Sequence, residues 1–180
     1  MSHSTAPDDA RPPANPASPS QTTPGSSASP ASDLCGVWQL VRWEIAYSDD
    51  RPPSYPFGPD ATGLIQYTTD GGMSACIARA ARPPLSSDSV RHAPEAERLS
   101  AFESYFQYAG SYFVREHEGR WQVVHRVSHA LNPNFVGTDQ VRNMDFDRLG
   151  GLTLSASDAL PGAAGVVRHH RLIWQKKTAP

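Results

Sequence analysis

Residues 34–47, LCGVWQLVRWEIAY, constrain the fold of this 180-residue chain more than any other stretch, because a Gly-Val-Trp opening leads into alternating apolar and polar positions. A strand repeats every two residues, so alternation gives it two unlike faces. One parity carries Val37, Val41, Trp43, Ile45 and Tyr47, and the other Trp38, Leu40, Arg42 and Glu44. Such a strand belongs to a sheet whose inside differs from its outside, and a closed barrel is the simplest sheet of that kind.

The rest of the chain reads the same way. Strands are predicted at 62–68, 73–78, 111–116, 121–131, 138–146, 152–155 and 166–175, which with the first makes eight. Turn residues separate them: Asp70-Gly71-Gly72, Glu118-Gly119, Asn132-Pro133-Asn134, Gly150-Gly151 and Pro161-Gly162. Residues 48–59 form a Pro- and Asp-rich loop that is unusually aromatic through Tyr55 and Phe57, a pair suited to covering a barrel mouth. Pro94 and Glu95 signal a helix start, and Leu99, Phe102 and Phe106 follow at helical spacing, predicting an amphipathic helix that ends at Gly110 and lies across the barrel. Strands and helices do not alternate as a parallel sheet requires, and closure removes exposed edges.

Composition narrows the function classes. Residues 1–33 are Pro, Ser, Ala and Thr broken by seven prolines, without an aromatic residue, and read as a disordered tail before a domain spanning 34–177. A net charge of −2 supplies no basic field for nucleic acid or anionic lipid. No apolar run approaches the roughly 20 residues of a membrane span, and no secretory leader precedes the tail, so a cytoplasmic location is expected. Cys35 and Cys76 fall near opposite ends of strands that run the same way, which predicts two unpaired thiols.

Taken in order, LCGVWQLVRWE, SYPFGPDATGLIQYTTDGGMSA, FESYFQYAGSYFV, VVHRVSHALNPNFVGTDQVR and a final LIW resemble the lipocalin-like domain family of bacteria and fungi, from about Leu34 to Lys176. The resemblance implies an all-β, eight-stranded antiparallel calycin-type barrel with one packed helix, and binding of a small molecule inside it. It also implies that Trp38 closes one barrel end beneath a basic residue from a late strand, here Arg171 or Arg168.

Strand parity selects the candidate cavity residues. The odd positions of 121–131 are the more apolar and carry His125 and His129 inward; the strand from Thr138 turns Gln140, Arg142, Met144 and Phe146 to one face. Arg142 inside a barrel needs a partner and is suited to a carboxylate, phenolate or enolate of a bound molecule. Tyr67 and Tyr112 bring phenols to the same space, as ligand contacts or core filling. His125 and His129 are about 13 Å apart along one strand, too far to share a metal ion, and the neighbours His169 and His170 point to opposite faces. No nucleophile elbow, phosphate loop or dinucleotide fingerprint is present, so no cofactor is expected.

Three readings follow. The first is a binding protein for a small hydrophobic or amphipathic molecule, anchored by Arg142, His125 and Tyr112 with Gln140, Tyr67 and His129 secondary. The second is a cofactor-independent isomerase, cyclase or hydratase on a polyketide- or terpenoid-like intermediate, with His125 as general base and Arg142 or Tyr112 stabilising an oxyanion. The third is an adaptor with a filled barrel.

Overall fold

Eight strands form in the computed structural model, which describes residues 30–177, because β-branched and aromatic residues alternate with polar ones between glycine-containing turns. They are β1 (Gly36–Tyr47), β2 (Thr62–Tyr67), β3 (Gly72–Ala78), β4 (Tyr105–His117), β5 (Arg120–Ala130), β6 (Asp139–Phe146), β7 (Gly151–Ala159) and β8 (Val167–Lys176). Each pairs antiparallel with the next and β8 returns to β1, closing the barrel. The expected eight-stranded antiparallel barrel is the fold. Among the described residues no helix is long and apolar enough to cross a membrane.

One end of the barrel is plugged. Residues 31–33, placed in the tail by composition, join Leu34 in a helical turn, α1 (Ala31–Leu34), and residues 1–29 of that tail lie outside the described residues. Leu34 is fully buried, and its carbonyl accepts the indole N–H of Trp38 at 2.8 Å. Trp38 packs against Phe146, with ring centroids 6.0 Å apart. The cation over its indole is Lys176, whose Nζ stands 5.1 Å from the ring centroid and donates to the Asp33 carbonyl. Arg171 and Arg168 were the sequence candidates; they pair instead with Glu44 and Asp158. The choice follows from register, since Lys176 is the residue opposite Trp38.

At the opposite end the chain departs from the sequence reading. Helix α2 (Glu95–Glu103) is shorter than predicted and buries no residue, leaving Leu99 and Phe102 half-exposed. Tyr105 and Phe106 open β4 instead, because from Tyr105 to Ser111 the chain pairs without interruption with β3, so its backbone hydrogen bonds are made across strands and not along a helix. The loop after β1 comes back onto the barrel: Ser54 exchanges both backbone hydrogen bonds with Ile45, and Phe57 stacks on Trp43 at 5.5 Å. Cys35 and Cys76 are unpaired thiols, as expected.

Candidate functional site

Two bulges decide which side chains enter the barrel. In β1 the register with β8 jumps between Leu40 and Arg42, so Val41 is the extra residue. Trp38 and Leu40 face inward before the jump, and Trp43 and Ile45 after it, while Val41 is exposed. No single parity of β1 is the inner one. In β5 the jump leaves Ser128 unpaired opposite Ala109/Gly110. Only glycine fits at 110, because a Cβ there would lie 2.0 Å from the Arg126 carbonyl oxygen. His125 and Val127 therefore point inward, but His129 is exposed outside, bonded through Nδ1 to the Ser128 hydroxyl. The inward placement expected of His129 is corrected by this bulge.

His125 sits at the centre of the interior with no solvent exposure. Its Nε2 is 2.8 Å from the Tyr67 hydroxyl and its Nδ1 2.7 Å from the Tyr108 hydroxyl, so both ring nitrogens are engaged. Burial, and secondarily the positive charge of Arg142, push its pKa down to about 3, which keeps the ring neutral at physiological pH. Burial raises the pKa of both phenols as well. A neutral imidazole has one N–H and one lone pair, so it accepts from one tyrosine and donates to the other.

Above this triad lies a cavity of about 490 Å³, within the range of small-molecule sites. Its walls are mainly apolar, with Ile65, Ile77, Phe106, Phe135, Leu154 and Leu172 among them. The barrel wall beside it has a gap: β6 and β7 pair only from Asn143 to Phe146 and from Leu152 to Ser155, and their remaining residues at this end have no partner across the seam. Asp139–Arg142 and Ala156–Asp158, on the two sides of that gap, line the cavity.

Two charged residues of β6 line the cavity, Asp139, which pairs with Arg126 at 3.4 Å, and Arg142. The second carries the cavity's positive charge from this strand. Its guanidinium donates to the Val141 carbonyl at 2.8 Å and to Gln140 Oε1 at 3.3 Å, and Gln140 in turn donates to Thr138 Oγ1 at 3.0 Å. Among the described residues no carboxylate is within ion-pair distance of Arg142. The other cavity acid, Asp158, is committed to Arg168 through two bonds of 2.8 and 2.7 Å, which hold its pKa below the usual carboxylate range. His170 Nε2 stands 3.4 Å from Asp158 but is not aimed well enough for a hydrogen bond. Its pKa is lowered chiefly by burial.

Of the six residues selected from sequence, the structure brings Arg142, Gln140 and His125 to the cavity and sets Tyr67 behind His125. Tyr112 does not line it. Its hydroxyl donates to the Thr68 carbonyl at 3.0 Å and lies 3.3 Å from Cys35 Sγ at the plugged end. Sequence reasoning missed Tyr108, hidden by the helix assignment, and Trp43, Trp174 and His170, each of which lines the cavity. The register of β8 was the available signal: it places His170 opposite Ile45 and Trp174 opposite Leu40, both inward.

A model of the lipocalin-like domain matches residues 35–177, nearly the whole of the described chain. The chain belongs to the lipocalin-like domain family. The sequence matches no curated protein significantly. Among solved structures it is similar to an uncharacterized protein, YLR301w from Saccharomyces cerevisiae, at 15% identity and a TM-score of 0.45. That similarity covers 77% of this chain and 53% of the yeast protein, so the chain spans about half the length of the structure it matches. Membership of the lipocalin-like family supports a ligand-binding barrel in general terms.

Proposed function

We propose that this lipocalin-like protein reversibly binds a small, largely apolar organic molecule in the cavity above His125. The observation that carries the reading is a cavity of about 490 Å³ with mainly apolar walls and an arginine for which no described carboxylate is a partner. Affinity comes from the apolar area removed from water, about 25 cal/mol per Å², and orientation from the few polar groups. A barrel serving only as an adaptor has no need of such a space. Catalysis through His125 has less support, because both its nitrogens are occupied by tyrosines and burial holds its pKa far below the range of an efficient general base.

Titration with the neutral apolar probe N-phenyl-1-naphthylamine tests this reading. Saturable one-to-one binding with quenching of tryptophan emission is expected, since Trp43 and Trp174 line the space. Ala156→Phe, which pushes a ring into the cavity, abolishes it. Binding unchanged by Ala156→Phe, or no saturable binding by the unmodified protein, overturns the proposal.

A further inference from the structure

The polar groups of the cavity are unequally divided between donors and acceptors. Among the described residues, three buried side-chain nitrogens have no hydrogen-bond partner: Trp43 Nε1, Trp174 Nε1 and His170 Nε2. All three belong to residues that line this cavity. Indole nitrogens only donate, and His170 Nε2, 3.4 Å from the Asp158 carboxylate, carries the proton because a lone pair there would face a negative charge. A buried polar group left without a partner costs roughly 1–3 kcal/mol, and these three bias the cavity wall toward donors although the nitrogens themselves are covered by neighbouring atoms and do not front the open space.

Tyr108 adds a fourth donor. If Tyr67 accepted from His125, its own hydroxyl hydrogen would be left in the closed core, whereas Tyr108 fronts the cavity. The tautomer with fewer losses therefore has Tyr67 donating to Nε2 and Nδ1 donating to Tyr108, whose hydroxyl hydrogen is free for the cavity. Arg142 brings the formal positive charge, and each of the two carboxylates that line the cavity already has an arginine of its own, Asp158 with Arg168 and Asp139 with Arg126 at 3.4 Å. The side-chain oxygen of Gln140 is likewise taken, by Arg142.

We infer that the natural ligand is an organic anion, with a carboxylate-type oxyanion held by Arg142 and the Tyr108 hydroxyl and an apolar, preferably aromatic, body against the cavity walls. The inference rests on the binding function proposed above and specifies the chemistry of its ligand. Two oxygens of one carboxylate match the forked guanidinium, and their remaining lone pairs take further donors, which a neutral hydrocarbon cannot do.

Calorimetric titration of the full chain with 2-naphthoate, 2-naphthamide and 2-naphthylmethylamine tests it, since the three share one aromatic body and differ in head-group charge. The anion is expected to bind roughly ten- to a hundredfold more tightly than the amide, as a charge-assisted contact implies, and the ammonium compound most weakly. Arg142→Met should remove most of the preference for the anion over the amide, with unchanged circular dichroism confirming the fold. Equal affinity for anion and amide, or preference for the ammonium compound, overturns the anion assignment and leaves the cavity intact as a binding site. Failure of all three to bind counts against the binding function as well.

Discussion

Replacing His125 by leucine, a side chain of similar volume, should destabilise the barrel mainly through what it does to two other residues. Tyr67 and Tyr108 are 2% and 4% exposed, and each gives or receives one short bond at the imidazole. Stripping a buried hydroxyl of its partner costs about 1–3 kcal/mol. Tyr67 lies in the closed core and takes the upper part of that range, whereas water can reach Tyr108 from the cavity and reduces its share to about 1 kcal/mol. The sum is about 3–4 kcal/mol, a large fraction of the 5–15 kcal/mol typical of a domain. With a urea slope of about 2 kcal/mol/M the midpoint of unfolding falls by roughly 1.5–2 M. The decisive comparison is the triple variant Tyr67→Phe, Tyr108→Phe, His125→Leu. If the loss comes from orphaned phenols, removing all three polar groups together leaves none unsatisfied and recovers most of it. Urea unfolding followed by circular dichroism reads both variants, and a triple variant no more stable than His125→Leu alone refutes the reasoning.

The same histidine makes stability depend on acid. Its folded pKa of about 3 lies below the unfolded value near 6.5, so the unfolded chain binds a proton first and stability falls as pH drops through that window. On the order of 2–3 kcal/mol should be lost by pH 4.5 and the loss should be missing from His125→Leu; parallel pH profiles of the two proteins contradict it. Gly110→Ala should cost at least about 3 kcal/mol and lower the thermal midpoint sharply, because the added Cβ meets the Arg126 carbonyl oxygen at the β5 bulge; a near-neutral effect means that β4 and β5 separate there without strain. Leu34→Ala should cost about 2–5 kcal/mol in chemical denaturation through loss of the plug beneath Trp38, and a change under 1 kcal/mol shows the plug to be dispensable. Phe57→Ala removes the ring stacked on Trp43, worth about 0.5–1.5 kcal/mol, and should red-shift tryptophan emission and speed release of a bound probe in stopped-flow measurements; unchanged release assigns Phe57 to loop anchoring alone.

The order and type of the strands were legible because each has an alternating run bounded by turn residues, a local signal that tertiary contacts reinforce. The facing of side chains was less legible. Alternation holds only until a bulge inserts a residue, and nothing in QLVRWE or RVSHAL announces that Val41 and Ser128 are the inserted ones. Hence Trp43 shares the interior with Trp38 despite opposite parity, and His129 leaves the interior that His125 occupies. The helix was overextended for a related reason: Leu99, Phe102 and Phe106 fit helical spacing, but Phe106, Tyr108 and Tyr112 also fit a strand, and pairing with β3 decides for the strand. Placing Arg142 beside the cavity succeeded because no irregularity interrupts the pairing of β6 with β5.

The unpaired stretch between β6 and β7 sets how fast this pocket can fill and empty. A fully laced cylinder must break several main-chain bonds before a guest can leave, which confines exchange to slow, concerted opening. Here those bonds are absent over Asp139–Arg142 and Ala156–Ala159, so a guest crossing at this seam has side chains to displace and no strand pairing to break, and side-chain motions are the faster of the two. For a guest bound as proposed, residence time is then set by its own contacts and by covering side chains, not by the main-chain lattice.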